Sequence, residues 1–117
     1  MNSPEAMRER TKQFAVRIIK LYQSLPEHGA SQVIGMQVLR SGTSIGANYR
    51  AACRARSRAE FISKLGIVVE EADETMYWLE LLIETSGIKP EKLDPLRTEA
   101  KELTAIFTAS RQTSRRN

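Results

Sequence analysis

The 117-residue sequence is poor in the side chains that most often do chemistry: it has one cysteine, Cys53, and one histidine, His28. A lone cysteine excludes an internal disulfide, and no Cys/His cluster is available for a structural zinc. Aromatic residues make up only 6%. No apolar run approaches the ~20 residues of a membrane-spanning helix, and the start, Met-Asn-Ser-Pro-Glu-Ala-Met-Arg-Glu-Arg, has no apolar leader core. These absences lead to the expectation of a cytoplasmic protein in a reducing compartment, with no membrane association. A Gly-rich phosphate loop, a nucleophile elbow and a Cys/His/Asn arrangement are missing too. No enzyme, cofactor, metal or small-molecule substrate is therefore expected.

What is present is a helical pattern. Apolar residues at 41% and charged residues at 27% describe an ordinary globular chain, long enough for one hydrophobic core over residues 1–117. Ser3-Pro4 is a helix start, followed by Met7, Phe14, Ile18, Leu21 and Leu25 at helical spacing, which predicts a first helix over about 4–25. A second helix over about 31–55 carries Ile34, Val38, Ile45, Tyr49 and Ala52. Ser57 to Glu60 is a capping box opening a third over 58–86, with Phe61, Leu65, Val68, Ala72, Thr75, Leu79 and Leu82 inward and Ser86-Gly87 as its stop. A fourth, over 90–111, starts at Pro90 or after Asp94-Pro95, carries Leu96, Ala100, Leu103 and Phe107, and leaves 112–117 as a frayed tail. Short connections between long helices predict an all-α, antiparallel up-down-up-down four-helix bundle.

Charge is sorted along this fold. Residues 31–58 contain five arginines and no carboxylate, whereas residues 59–88 contain one lysine and seven carboxylates. Folding helix 3 back at the turn near residue 57 makes facing residue numbers sum to roughly 115, which sets Arg40 near Glu74 and Ser44 near Glu71. Arg40, Ser44, Asn48, Glu71 and Glu74 are thus candidates for an interhelix polar network. Exposed pairs of this kind are worth ~0 to 1 kcal/mol each.

Both termini and the turn between helices 2 and 3 must share one end of such a bundle. Arg8, Arg10, Lys12, Arg54, Arg56, Arg58, Lys64, Arg111, Arg115 and Arg116 collect there, opposed mainly by Glu5, Glu9 and Glu60. With an overall charge of +4, this pole has the character needed to neutralise RNA or DNA phosphates. Arginines at the ends of helices 2 and 4 also complement helix dipoles, so the pole has a purely structural reading as well. Base stacking is not supported, because Phe61, the aromatic residue amid these charges, belongs to the core stripe.

Heptad spacing from Val38, Ile45 and Ala52 turns Ser41 and Asn48 towards the core. Gly42 and Gly46 each cost about 1 kcal/mol in a helix interior, so a close helix approach is expected at both, within the bundle or between subunits. In helix 3, Met76-Tyr77-Trp78-Leu79 and Leu81-Leu82-Ile83 are apolar nearly all the way round. That surplus predicts a homo-oligomer with Gly42, Gly46, Tyr77, Trp78 and Leu81 as candidate interface residues. A di-metal carboxylate centre is rejected, because Glu70, Glu71, Asp73 and Glu74 lie on one helix and His28 lies in a loop. Cys53 is expected to be inert and half-buried.

The stretch Leu39-Arg40-Ser41-Gly42-Thr43-Ser44-Ile45-Gly46-Ala47-Asn48-Tyr49-Arg50, followed by Ala59 to Lys64 and Glu71 to Leu81, resembles the bacterial four-helix bundle proteins also called 23S rRNA-intervening-sequence proteins. Arg40, Ser44, Asn48, Phe61, Glu74 and Trp78 match the motif, and the likeness runs over roughly residues 8–110. Many relatives carry a glutamate shortly after the asparagine, where this chain has Ala51 and Ala52. The resemblance implies an up-down bundle assembled as a homopentamer, of largely undetermined biochemical function. It also implies RNA or DNA as a ligand class, because a distantly similar bundle is a nucleic-acid-binding accessory to a retroelement reverse transcriptase. The function expected is a non-enzymatic homo-oligomer that binds RNA or DNA through the basic pole; the alternative is a protein-interaction scaffold without nucleic-acid binding.

Overall fold

The computed structural model describes residues 2–116. Its four helices are α1 (Pro4–Ser24), α2 (Gly29–Cys53), α3 (Arg58–Thr85) and α4 (Pro90–Arg116), with no strand among the described residues. Each start has a local cause. The Ser3 hydroxyl accepts from the Ala6 amide at 3.1 Å, with Pro4 at the first helical position. α2 begins at Gly29, two residues before Ser31, because Gly29 takes φ +75°, a left-handed conformation that lets the chain leave Pro26-Glu27-His28 directly into a helix. It ends at Cys53, two residues before the predicted end.

The capping box of α3 forms on one side and shifts by one residue on the other. The Ser57 hydroxyl accepts from the Glu60 amide at 3.1 Å, while the Glu60 carboxylate accepts from the amide of Arg56 at 3.4 Å rather than from Ser57. Gly87, at φ +78°, turns the chain after α3. α4 is continuous from Pro90 and carries Pro95 inside it.

The predicted fraying of the tail is corrected: residues up to Arg116 are helical, and Asn117 lies outside the described residues. The last turn of a helix leaves carbonyls without partners. One of them, on Ser114, accepts from Nε of Arg58 at 2.7 Å, and Arg115 and Arg116 place positive charge at the negative end of the helix dipole.

The helices form an up-down-up-down bundle, 46 × 20 × 19 Å, in which each helix packs on the next and α1 meets α4 least closely. Met7, Phe14 and Ile18, Val38 and Ile45, Leu65, Leu79 and Leu82, and Leu93, Leu103 and Phe107 fill one core. Burying such side chains contributes about 1.5–3 kcal/mol each.

The seams differ in kind. Between α1 and α2, a Cβ on Gly42 would stand 2.9 Å from Ile18 Cγ1, and one on Gly46 would stand 3.1 Å from Thr11 Oγ1. Both glycines thus serve close packing of α1 inside this chain, which corrects their assignment to an oligomer interface. Between α2 and α3, the buried hydroxyls of Ser41 and Thr75 meet at 2.9 Å. Between α1 and α4, the Arg10 guanidinium grips Glu99 with two bonds of 2.7 Å and Glu102 with one of 2.8 Å.

Candidate nucleic-acid interface

The up-down order brings the N-terminal ends of α1 and α3 and the C-terminal ends of α2 and α4 to one end of the bundle. The basic residues predicted there have different fates. Arg8 is half-buried and Lys12 exposed; together with Arg50, Glu5 and Glu9 they line a depression of about 230 Å³ between α1 and α2. Arg54 and Arg56 are exposed in the turn, Arg115 and Arg116 are exposed on the last turn of α4, and Lys64 is half-buried on α3. Arg58 and Arg111 reach across the α3–α4 seam in opposite directions. Arg58 bonds the Ser114 carbonyl, while Nε of Arg111 donates to the Ile62 carbonyl at 3.1 Å.

Arg10 leaves the set. Its two carboxylate partners neutralise it, and the hydrogen bond to Glu99 is the main cause that raises the guanidinium pKa further. The same bond holds Glu99 below the usual carboxylate range. Sequence patterning does not reveal this pairing, because it joins residues 89 positions apart in the chain. Arg50 is the residue missed: it stands in the last turn of an acid-free helix, a signal present in the sequence.

Among the described residues, every ion pair within 4.0 Å uses Arg10, Arg40 or Arg97 as its cation. Arg8, Lys12, Arg50, Arg54, Arg56, Arg58, Lys64, Arg111, Arg115 and Arg116 make none. Arg17, Lys20, Lys89, Lys92 and Lys101 make none either, so what sets the terminal pole apart is the crowding of ten such cations at one end of the bundle, with Glu5, Glu9 and Glu60 as the carboxylates beside them.

Of the polar-network candidates, Arg40, Glu71 and Glu74 meet across α2 and α3: Arg40 bonds both carboxylates, and Trp78 Nε1 donates to Glu74 at 3.1 Å. Ser44 and Asn48 do not join them. The Ser44 hydroxyl donates to the Arg40 carbonyl at 2.6 Å and the Asn48 amide to the Ser44 carbonyl at 2.9 Å, so both are satisfied along α2 itself. Asn48 is half-buried rather than buried, since a straight helix drifts by about 20° per heptad away from the seam that Ser41 occupies.

On the same two helices, Val33 (63% exposed), Met36 (53%) and Tyr77 (53%) stand in the open. Trp78 and Leu81 are half-buried, and the Trp78 ring meets Tyr77 edge-on at 5.2 Å. Cys53 is half-buried near Tyr49, whose phenol burial pushes up to about 12, with Cys53 adding to the shift and Arg8 opposing it. Among the described residues, no group of three or more His, Cys, Asp or Glu side chains is placed to hold a metal ion, and no helix is long and apolar enough to cross a membrane.

Comparison with known proteins finds a matching family model and similar solved structures. Residues 6–109 match the model of the 23S rRNA-intervening sequence protein family. A crystal structure of a protein of unknown function from the S23 ribosomal protein family of Bacteroides thetaiotaomicron is similar at a TM-score of 0.85 and 42% identity, covering 93% of this chain and 97% of that one. No curated protein matches significantly. The bundle, its α2–α3 motif and a match that spans nearly the whole chain agree: this protein belongs to the 23S rRNA-intervening sequence protein family.

Proposed function

We propose that this protein is a non-enzymatic, nucleic-acid-binding bundle whose basic pole engages the phosphate backbone of RNA or DNA. One observation carries the reading: among the described residues, ten cationic side chains without an ion pair are gathered at one end of the molecule, a density that the rest of the bundle does not match. Gathering like charge at one end works against the compact state through self-repulsion, which folding alone does not call for. An unpaired cluster keeps counterions that a polyanion displaces on binding, and their release drives association without sequence preference.

The test is filter binding of an RNA and a DNA oligonucleotide to the wild-type protein and to a variant with Arg54, Arg56, Arg115 and Arg116 changed to alanine. None of these four side chains makes a hydrogen bond or ion pair among the described residues, so the fold should persist. The variant is expected to bind about tenfold or more weakly at low salt. Equal binding by the two proteins, or no binding by either, contradicts the proposal.

A second reading is favoured by the open apolar side chains of α2 and α3. Val33, Met36 and Tyr77, with Trp78 and Leu81 beneath, form the kind of surface that a second copy or another protein covers. Self-association would multiply the basic poles and so raise affinity for a long polyanion. In native mass measurements, Met36→Ser with Tyr77→Ser should shift the protein towards a monomer. A mass unchanged by the pair contradicts self-association through this face.

A further inference from the structure

The geometry points to a phosphate seat in the groove between α3 and α4, built on Arg111 and Arg115, with Arg58 anchored in the same manner nearer the end of the seam. It rests on the reading above, in which the phosphate belongs to a nucleic-acid backbone. Two arginines cross this seam in opposite directions, and each is held through Nε by a backbone carbonyl of the other helix: Arg111 by Ile62 at 3.1 Å and Arg58 by Ser114 at 2.7 Å. Anchoring at Nε orients a planar guanidinium and leaves its terminal nitrogens, the pair that forks onto an oxyanion, without a protein partner among the described residues. Ordering a long side chain is part of the cost of binding. Here the fold has already met it.

The ground beside Arg111 suits an anion. A depression of about 110 Å³ is lined by Val69, Thr108, Arg111, Gln112 and Arg115: two guanidiniums, one amide, one hydroxyl and no carboxylate. The depression at Arg8, Lys12 and Arg50 differs, because Glu5 and Glu9 share its wall. Gly66 makes the arrangement possible. The Arg111 guanidinium lies flat over it, where a Cβ would come within 3.2 Å of Nε and 3.3 Å of Nη2. The missing side chain at Gly66 thus explains both the posture of Arg111 and the glycine in mid-helix, which is otherwise unfavourable.

Two variants test this without changing the net charge. Gly66→Ala crowds the guanidinium, which must lift by a few tenths of an ångström, and Arg111→Lys keeps the charge but removes the fork. Each is compared with wild type for binding of a single-stranded RNA 20-mer, and nitrogen-detected spectra follow the arginine Nε–H signals of wild type during titration with inorganic pyrophosphate. Thermal melting verifies that both variants are folded. The seat predicts about tenfold weaker RNA binding by Arg111→Lys, a smaller loss in Gly66→Ala, and a pyrophosphate shift at the Arg111 signal. RNA binding equal to wild type in both folded variants overturns the seat and leaves the basic pole standing. A pyrophosphate shift at Arg111 with no RNA binding by wild type supports the seat for a free phosphate and overturns the nucleic-acid reading. No shift and no RNA binding overturn both.

Discussion

Removing the hydroxyls of Ser41 and Thr75, singly and together, should cost little, although both groups are fully buried at the centre of the α2–α3 seam. The reason is a proton count. Three contacts are short: Thr75 to Ser41 at 2.9 Å, Ser41 to the Gln37 carbonyl at 2.8 Å and Thr75 to the Glu71 carbonyl at 2.7 Å, with the Val38 carbonyl farther from Ser41 at 3.5 Å. Two hydroxyls own two protons, so the chain runs either from Thr75 to Ser41 to the Gln37 carbonyl or from Ser41 to Thr75 to the Glu71 carbonyl, and the remaining carbonyl is the fallback acceptor. In Ser41→Ala, Thr75 donates to Glu71; in Thr75→Val, Ser41 donates to Gln37. Neither variant strands a buried donor, so each should lose only the net value of one hydrogen bond, about 1 kcal/mol. The double variant should lose less than the two singles combined, by about 0.5–1 kcal/mol, because they share one bond. Leu79→Ala, at an equally buried position on the same seam, should cost about 2–5 kcal/mol. Urea denaturation measures all four. A single-hydroxyl loss above about 3 kcal/mol, or strictly additive singles, refutes the fallback bonding.

Other predictions concern the remaining two seams. Gly42→Ala should destabilise by about 1–3 kcal/mol in spite of alanine's better helix propensity, because its Cβ meets the branched and fully buried Ile18 at 2.9 Å; stability equal to wild type would show that α1 can shift away. The Arg10–Glu99 pair makes stability depend on pH with a definite sign. Glu99 is held below its ordinary value of 4.5 when folded, so its contribution is present above 4.5 and is lost as the pH falls through the lower folded value. In urea melts, Glu99→Gln should be less stable than wild type by about 1 kcal/mol near neutrality, the gap closing on acidification below about 4.5. A gap that stays constant with pH contradicts the ion-pair origin.

The α2–α3 half was the more legible in the sequence. Arg40 and Glu74 could be paired because a turn at a capping box fixes an antiparallel register between adjacent helices, and charge of opposite sign lies on both. Where α1 lies against α4, no such register exists, so the capture of Arg10 by Glu99 and Glu102 has no local signal. Arg58 and Arg111 were legible as charge but not as structure, since both bond backbone carbonyls, which every residue carries. The end of α4 was misjudged for a related reason. Its last turns have no apolar period to read, and a side chain from α3 completes them. Ser44 and Asn48 show the converse: polar side chains that looked directed at a partner helix are satisfied by the previous turn of their own.

The salt dependence of RNA binding tests most directly the proposal that a polyanion neutralises the crowded cations of the terminal pole. Five phosphate contacts on a single strand predict a slope of about −3.5 in a plot of log affinity against log salt, so a fourfold rise in salt should weaken binding about 100-fold. The variant lacking Arg54, Arg56, Arg115 and Arg116 should give a shallower line. Binding that is undetectable at low salt, or a slope near zero shared by both proteins, would contradict the account.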